Sequence, residues 1–452
     1  MGEIYLIIGA ARSGIASAEY LHKQGKTVFV TDMNAKLSEE TEKKLGHEEI
    51  FYIWGEQPDV DAICPDVVVV SPGIPLTIAP IRRALEKKIP VISEPELAWR
   101  ESCVPFVAVT GTNGKTTTTT LTAILLEAEG REVLAGGNIG VPLISRCPQM
   151  NENDIAVAEM SSFQLESIDS FRPRVAVVLN VTPDHLDRHK TMAAYAMAKA
   201  RIFENQGPED SLILNADDDI VFGMGERAKA HIYYISQKSE PREGMWLNQG
   251  DVCYRLNESD AAQVLIAAEE IGIVGAHNLE NAMAASLAAL IMGQKPDIIA
   301  ERLRTFKGVS HRMEPVADIN GVRYINDSKG TNPDSTRKAL CSYDGHPIVL
   351  IAGGYNKGSA FDDLVPLLRE RCRSVVLVGK AIPDFESAFE RTGYGAYVCA
   401  DTFEEAVQKA HDAAVPGDIV LLSPACASWD MFDNYEQRGD LFKRLVKAYA
   451  SD

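Results

Sequence analysis

Basic residues are scarce: 45 Lys and Arg stand against 64 Asp and Glu, a formal charge of −19 over 452 residues. Such a field repels nucleic-acid backbones and anionic membrane surfaces, which excludes nucleic acid as a main partner. Any phosphate-bearing ligand then needs a locally built site of backbone N–H groups, cationic side chains or a divalent cation. Clustered cysteine is missing too. The eight Cys, at 64, 103, 147, 253, 341, 372, 399 and 426, never come closer than 27 positions, so there is no CxxC knuckle and no disulfide framework, and a reducing cytoplasm is expected. The longest apolar runs, such as Met283 to Met292, are half of the about 20 residues that span a bilayer. The opening Met1-Gly2-Glu3-Ile4 has no basic run ahead of its apolar stretch, unlike a signal peptide, and no membrane insertion is expected. With 33 Gly and 22 Pro the chain is neither collagen-like nor of low complexity.

What is present is ordinary globular material, 46% apolar and 24% charged. At roughly 150 residues per domain the length predicts about three domains. Short β-branched runs alternate with amphipathic helical stretches, the pattern of α/β architecture with largely parallel sheets. A first set of elements comprises strands at Tyr5–Ile8, Thr27–Thr31 and Val67–Val70 and a helix at Ser13–Gln24. A second begins with a strand at Val104–Thr110 and a helix from about Lys115 to Glu129. It continues with strands at Ile155–Met160, Val175–Asn180 and Ser211–Asn215, a β-hairpin insertion over Tyr233 to Leu256, and a helix at Asn278–Met292. The third has strands near Val322–Asn326, Ile348–Ala352, Ser374–Val378 and Asp418–Ser423. The expected division is 1–95, 96–308 and 309–452.

The most specific local signal is Thr110-Gly111-Thr112-Asn113-Gly114-Lys115-Thr116, between a buried strand and a helix. Glycines there let backbone N–H groups turn toward phosphates, Lys115 adds a point charge and Thr116 supplies a hydroxyl for Mg²⁺. Val109 stands where a standard Walker A sequence has its first Gly, so the loop is a shortened variant. Gly9-Ala10-Ala11-Arg12-Ser13-Gly14 is a partial dinucleotide fingerprint with Ala11 in place of the second Gly, and Asp32 ends the next strand where it would meet a sugar or base. On this motif alone a nucleotide site and a plain strand-to-helix turn both fit.

Glu159 ends a strand at the sheet edge where α/β folds bind ligands, and is followed by Ser161-Ser162-Phe163-Gln164-Leu165. Thr182-Pro183 reads as an N-cap and first helical position ahead of Asp184-His185-Leu186-Asp187-Arg188-His189. A zinc-protease HExxH needs Glu where Leu186 stands, which leaves His185 as either a metal ligand or a structural histidine. Four later clusters follow strands or the linker: His311-Arg312-Met313-Glu314, Asn326 to Asn332, Gly353-Gly354-Tyr355-Asn356-Lys357, and Leu422 to Asp430. Arg312, Lys329 and Lys357 suit phosphate or carboxylate groups, and Ser428 reads as a helix start with donors to offer. Together they imply a second ligand facing the phosphate loop across a cleft.

With these motifs the sequence resembles the Mur ligase family over essentially its whole length. The shared features are Gly111 to Thr116, His311-Arg312 and the three-domain order. Ser161 to Leu165, Asn326-Asp327-Ser328-Lys329 and Leu422 to Ser428 resemble the D-glutamate-adding branch. The resemblance implies a Rossmann-like N-terminal domain, a central P-loop-type ATPase domain with a mostly parallel sheet, and a Rossmann-like C-terminal domain. It implies a cytoplasmic, monomeric enzyme that uses ATP to add D-glutamate to UDP-N-acetylmuramoyl-L-alanine through an acyl phosphate, in peptidoglycan precursor synthesis.

By motif match, Gly111, Thr112, Asn113, Gly114, Lys115, Thr116 and Thr117 would bind ATP with Asn278, Asn281, Arg312, Asp327 and Lys329. Lys115, His185, Lys199 and Arg312 would serve catalysis. Thr116, Glu159, His185 and Lys199 would surround Mg²⁺ or Mn²⁺, with Lys199 carrying a CO₂-derived carbamate. Gly9, Arg12, Ser13, Asp32, Ser71, Pro72, Gly73, Asn138 and Ser161 would hold the UDP substrate. Lys329, Thr331, Lys357, Ser428 and Tyr435 would hold D-glutamate. Tyr355-Asn356 replace an acidic residue and a glycine found in some relatives, a difference beside Lys357. The rival readings are another ligase of the family, such as one adding glutamate to folate, and an NAD-binding module.

Overall fold

The computed structural model describes residues 2–33, 50–343 and 345–449. Its strands form three sheets. The first is five-stranded and wholly parallel, in the spatial order Ile50–Trp54, Thr27–Asp32, Ile4–Ile8, Val67–Val70, Val91–Ser93. The second has nine strands. Its parallel part runs Gly244–Asn248, His231–Ser236, Ser211–Asn215, Val175–Val178, Phe106–Thr110, Ile155–Glu159, Val133–Gly137. The third, of six strands, is parallel except where Glu314–Ile319 pairs antiparallel with Val322–Asn326 at one edge.

Burial on both faces explains the continuous apolar runs. Phe106–Thr110, Ile155–Glu159 and Val175–Val178 are buried at every position because helices cover both sides of a parallel sheet. The helix Ala276–Ile291 lies against the helix Lys115–Leu126, and its buried Ala282, Ala284, Ala285, Ala288 and Ala289 present small side chains to the core. The expected first boundary, residue 95, falls within the helix Glu94–Arg100. Leu97 and Ala98 of that helix share one apolar cluster with Leu21 of the first unit and Leu143, Ile144 and Met150 of the second, so the two sheets have a continuous core.

Three local expectations are corrected. Tyr233 is not in a hairpin: His231–Ser236 runs parallel to Ser211–Asn215, and the antiparallel pair is Gly244–Asn248 with Asp251–Arg255. Thr182 caps no helix, since the single turn Leu186–His189 starts only after His185, and Thr182 instead bonds across the cleft. Ser428 heads a turn, its carbonyl accepting from the N–H groups of Met431 and Phe432, and the next helix begins at Tyr435.

Candidate active site

The central sheet brings its chemistry to the C-terminal ends of adjacent strands. Gly114, at φ +87°, starts the helix Lys115–Leu126, and a Cβ there would strike the Asn281 side chain, so the tight turn and the close approach both require glycine. Lys115 folds back over the loop, Nζ donating to the carbonyls of Gly111 and Thr112 at 2.8 Å each. Burial pulls its pKa below the usual lysine value. Glu159, 1% exposed, accepts from Thr116 Oγ1 and Asn138 Nδ2, both at 2.8 Å.

Lys199 enters from the helix Met192–Ala200. Its Nζ donates to the Gly111 carbonyl at 2.6 Å and lies 4.5 Å from the centre of the Tyr195 ring. No described carboxylate reaches it at ion-pair distance, and it is 1% exposed. Burial first, and then the charge of Lys115, drive its pKa well below the usual value, which favours a neutral, nucleophilic amine. His185 is held at φ +53° ahead of its one-turn helix. Burial lowers its pKa to about 4 although Asp184 stands 3.6 Å from Nε2, so the imidazole is uncharged at neutral pH and has a lone pair to offer.

The C-terminal sheet closes the opposite wall. Lys357 Nζ donates to Asp184 Oδ1 at 3.0 Å and Asn332 Nδ2 to Oδ2 at 3.1 Å. Burial works against the Asp184 charge, but Lys357 and His185 outweigh it and hold the pKa below the usual carboxylate range. Asn113 of the phosphate loop donates to Asp334 Oδ2 at 2.6 Å and accepts from Ser335 Oγ at 2.6 Å, while Thr182 Oγ1 donates to Asp334 at 3.2 Å. Lys329 Nζ donates to Tyr435 Oη at 3.0 Å, with its pKa lowered by burial.

The result is a cleft of about 340 Å³. Of the residues singled out from sequence it gathers Thr112 to Thr117, Asn138, Glu159, Ser161, His185 and Lys199 from one side. From the other it takes Arg312, Lys329, Thr331, Lys357, Ser428 and Tyr435. Arg312 and Thr117 also border a second cavity of about 80 Å³ that includes Asn278, and Arg312 and Asn281 border a third recess. Gly111 lies beneath, its carbonyl taken by both lysines. Asp327 lines none of these spaces; it is buried under Arg312, 4.0 Å from Nε, and accepts from Ser423 Oγ at 2.8 Å. Gly9, Arg12, Ser13, Asp32, Ser71, Pro72 and Gly73 lie outside the cleft, at the strand ends of the first sheet. There Ala10 N–H donates to Asp32 at 2.8 Å and Ser71 Oγ to the Gly9 carbonyl at 2.9 Å.

Three family descriptions match the chain in order: "Mur ligase MurD-like, N-terminal domain" over residues 3–93, "Mur ligase middle domain" over 109–289, and "Mur ligase, glutamate ligase domain" over 311–426. A UDP-N-acetylmuramoylalanine–D-glutamate ligase of Pelotomaculum thermopropionicum is 49% identical over 442 residues, covering 98% of this chain and 96% of that protein. The chain belongs to the Mur ligase family. A D-glutamate ligase of the same name from a Thermoanaerobacter species is 43% identical over 448 residues, 98% of each chain. The solved UDP-N-acetylmuramate–alanine ligase of Thermotoga maritima shares the fold, with a TM-score of 0.61 at 19% identity, covering all of both chains.

Within this Mur ligase, residues to which the sequence motifs give no individual role hold the two walls together. Asp184 is one, since its partner Lys357 lies 173 positions away. Asn332, Asp334 and Ser335 are others. Asn332-Pro333 is an N-cap followed by proline at the first helical position, a readable signal for a helix start. What the sequence could not say is that this start would abut Asn113.

Proposed function

We propose that the chain joins D-glutamate to the L-alanyl carboxylate of UDP-N-acetylmuramoyl-L-alanine at the expense of ATP, in peptidoglycan precursor synthesis. The observation that carries this reading is a single cleft with a phosphate loop on one wall and the half-buried cationic groups of Lys329 and Lys357, beside Ser428, on the other. D-glutamate ligases aligned over 98% of the chain support the choice of amino acid, and support neither a folate ligase nor an NAD-binding module.

Carboxylate is a poor electrophile, so the γ-phosphoryl group of ATP passes to a carboxylate oxygen and ADP leaves. The amine of D-glutamate then attacks the acyl carbon, and the tetrahedral intermediate expels phosphate as the amide forms and the amine loses its protons. Lys115 and Arg312 offset charge on the phosphoryl oxygens, and the closed walls hold amine and acyl carbon in line. Thr117, Asn278 and Asn281 would seat adenosine, and Asp327 acts on ATP by fixing Arg312. Lys329, Thr331, Lys357, Ser428 and Tyr435 hold D-glutamate. The strand-end residues Gly9, Arg12, Ser13, Asp32 and Ser71–Gly73 take the uridine nucleotide, with Asn138 and Ser161 toward the muramoyl end.

Magnesium, or manganese, fits the donor set: Thr116 Oγ1 and the Glu159 carboxylate are adjacent hard oxygens, and His185 is uncharged. Among the described residues no group of three or more His, Cys, Asp and Glu could hold a metal; magnesium is commonly bound through one or two carboxylates together with substrate phosphates. Such a cation would neutralise phosphoryl charge. A carbamate on Lys199 would supply a further carboxylate beside it. The division 1–95, 96–308 and 309–452, a monomeric state and a cytoplasmic site of action, where ATP and nucleotide sugars occur, belong to the same proposal. Among the described residues no helix is long and apolar enough to cross a membrane.

Phosphate release from ATP and Mg²⁺ with UDP-N-acetylmuramoyl-L-alanine tests this reading. Turnover is expected with D-glutamate and not with L-glutamate, L-lysine or no amino acid; turnover with another amino acid alone would overturn the assigned substrate.

A further inference from the structure

Arg188 lies three residues after His185, on the one-turn helix, and takes no part in the chemistry described above. Its guanidinium nevertheless makes contacts in two units at once. Nη1 donates to the Pro72 carbonyl at 3.0 Å and Nη2 to the Ile74 carbonyl at 3.2 Å, both in the loop that leaves the first sheet after Val67–Val70. Nη2 also donates to Glu166 Oε2 at 2.6 Å, and the guanidinium carbon sits 4.2 Å from the centre of the Phe163 ring.

Each neighbour leads to a different end of the substrate. The 71–74 loop is folded on itself by Ile74 N–H to Ser71 carbonyl, and Ser71 Oγ ties it to Gly9. On the other side Phe163 lines the cleft, its ring edge-on to His185 at 4.9 Å and stacked on His189 at 5.5 Å. His189 in turn shares a hydrogen bond with Ser162 Oγ at 2.9 Å and faces Glu166 at 3.3 Å. A planar fork that donates to several carbonyl and carboxylate oxygens while its carbon lies over an aromatic ring is a geometry available to arginine and not to lysine.

We propose that Arg188 is a positioning residue that couples occupancy of the 71–74 loop to the placement of Phe163 and His185 at the reacting end of the cleft. This rests on the reading of Ser71–Gly73 as part of the uridine nucleotide site. Filling the loop fixes the two carbonyls that Arg188 holds, and the guanidinium then fixes the wall it lies against. The turn at 185–190 reports on that wall through the N–H groups of Arg188 and His189, which donate to the His185 carbonyl at 3.1 and 3.0 Å.

Hydrogen exchange on the full chain, with and without uridine diphosphate, provides the test. In the unaltered protein the nucleotide is expected to slow exchange in both 71–74 and 185–190, the second by about fivefold or more if the coupling is of ordinary allosteric size. In Arg188→Ala, and in Arg188→Lys, protection of 71–74 persists while that of 185–190 is lost. The same variants lower kcat with the full acceptor and leave KM for ATP unchanged. Thermal melting checks folding, and Arg188→Lys carries the test should Arg188→Ala not fold. Protection of 185–190 that survives both substitutions, or protection of 71–74 alone in the unaltered protein, overturns the coupling. If the nucleotide protects neither segment, the nucleotide-loop reading fails first and the coupling falls with it.

Discussion

Replacing Asp334 with alanine should open the cleft. The carboxylate begins the helix Pro333–Cys341 of the C-terminal unit and accepts from Asn113 Nδ2 at 2.6 Å and Thr182 Oγ1 at 3.2 Å, both from the central unit. A hydrogen bond to a charged group is worth about 1.5–3 kcal/mol when buried. The Asp334 side chain is 22% exposed and regains water when the walls part, so we discount the pair to about 2 kcal/mol, close to a 30-fold shift in the closed-to-open ratio. Asp184 with Lys357 and Asn332, and Ser335 with Asn113, remain as the other links. Small-angle scattering of the free protein should show a larger radius of gyration for Asp334→Ala, and KM for ATP should rise. Asp334→Asn keeps an acceptor and should lie between. Scattering curves and KM values that superimpose for all three proteins would refute the claim that this contact holds the walls together.

Other consequences are sharper in sign than in size. Lys199→Ala should fold yet lose about 100-fold or more in kcat, the scale of removing one group that stabilises developing charge; recovery with formate or acetate would support a carboxylate at that position, and its absence would remove the main argument for the carbamate. Glu94 is 1% exposed, accepts from the Ile144 N–H at 2.7 Å through one oxygen and has no partner for the other, and burial raises its pKa from 4.5 to about 7. The folded state therefore holds a proton that the unfolded state has released, so this group's contribution to stability is complete below about pH 4.5 and is lost as pH rises through about 7, a swing of order 3 kcal/mol. Glu94→Gln should raise the unfolding temperature at pH 8 and leave it nearly unchanged at pH 5; an equal shift at both would count against this assignment.

The buried β-branched runs were legible because they answer to one physical demand. Val67–Val70 and Val175–Val178 read as strands since a parallel sheet covered on both faces needs apolar side chains at successive positions. Val133–Gly137 did not, because two of its five residues are glycine. Gly137 is there for contact rather than propensity: a Cβ would press on the Glu159 carbonyl of the neighbouring strand. The sequence around Tyr233 reads as a hairpin because local alternation does not say whether the next strand returns or crosses over; its strand in fact pairs parallel on both sides. The phosphate loop was readable because its backbone and side-chain donors are contiguous in sequence. Asp184 with Lys357 and Asn113 with Asp334 were not, being pairs made only when two sheets meet.

The central claim is that ATP activates the acceptor's carboxylate as an acyl phosphate in this cleft. We would label both oxygens of the L-alanyl carboxylate with ¹⁸O, run one turnover with ATP and D-glutamate, and examine the products by mass spectrometry. One labelled oxygen should appear in the released phosphate and the other in the new amide. Label in AMP, or phosphate free of label, would contradict the account.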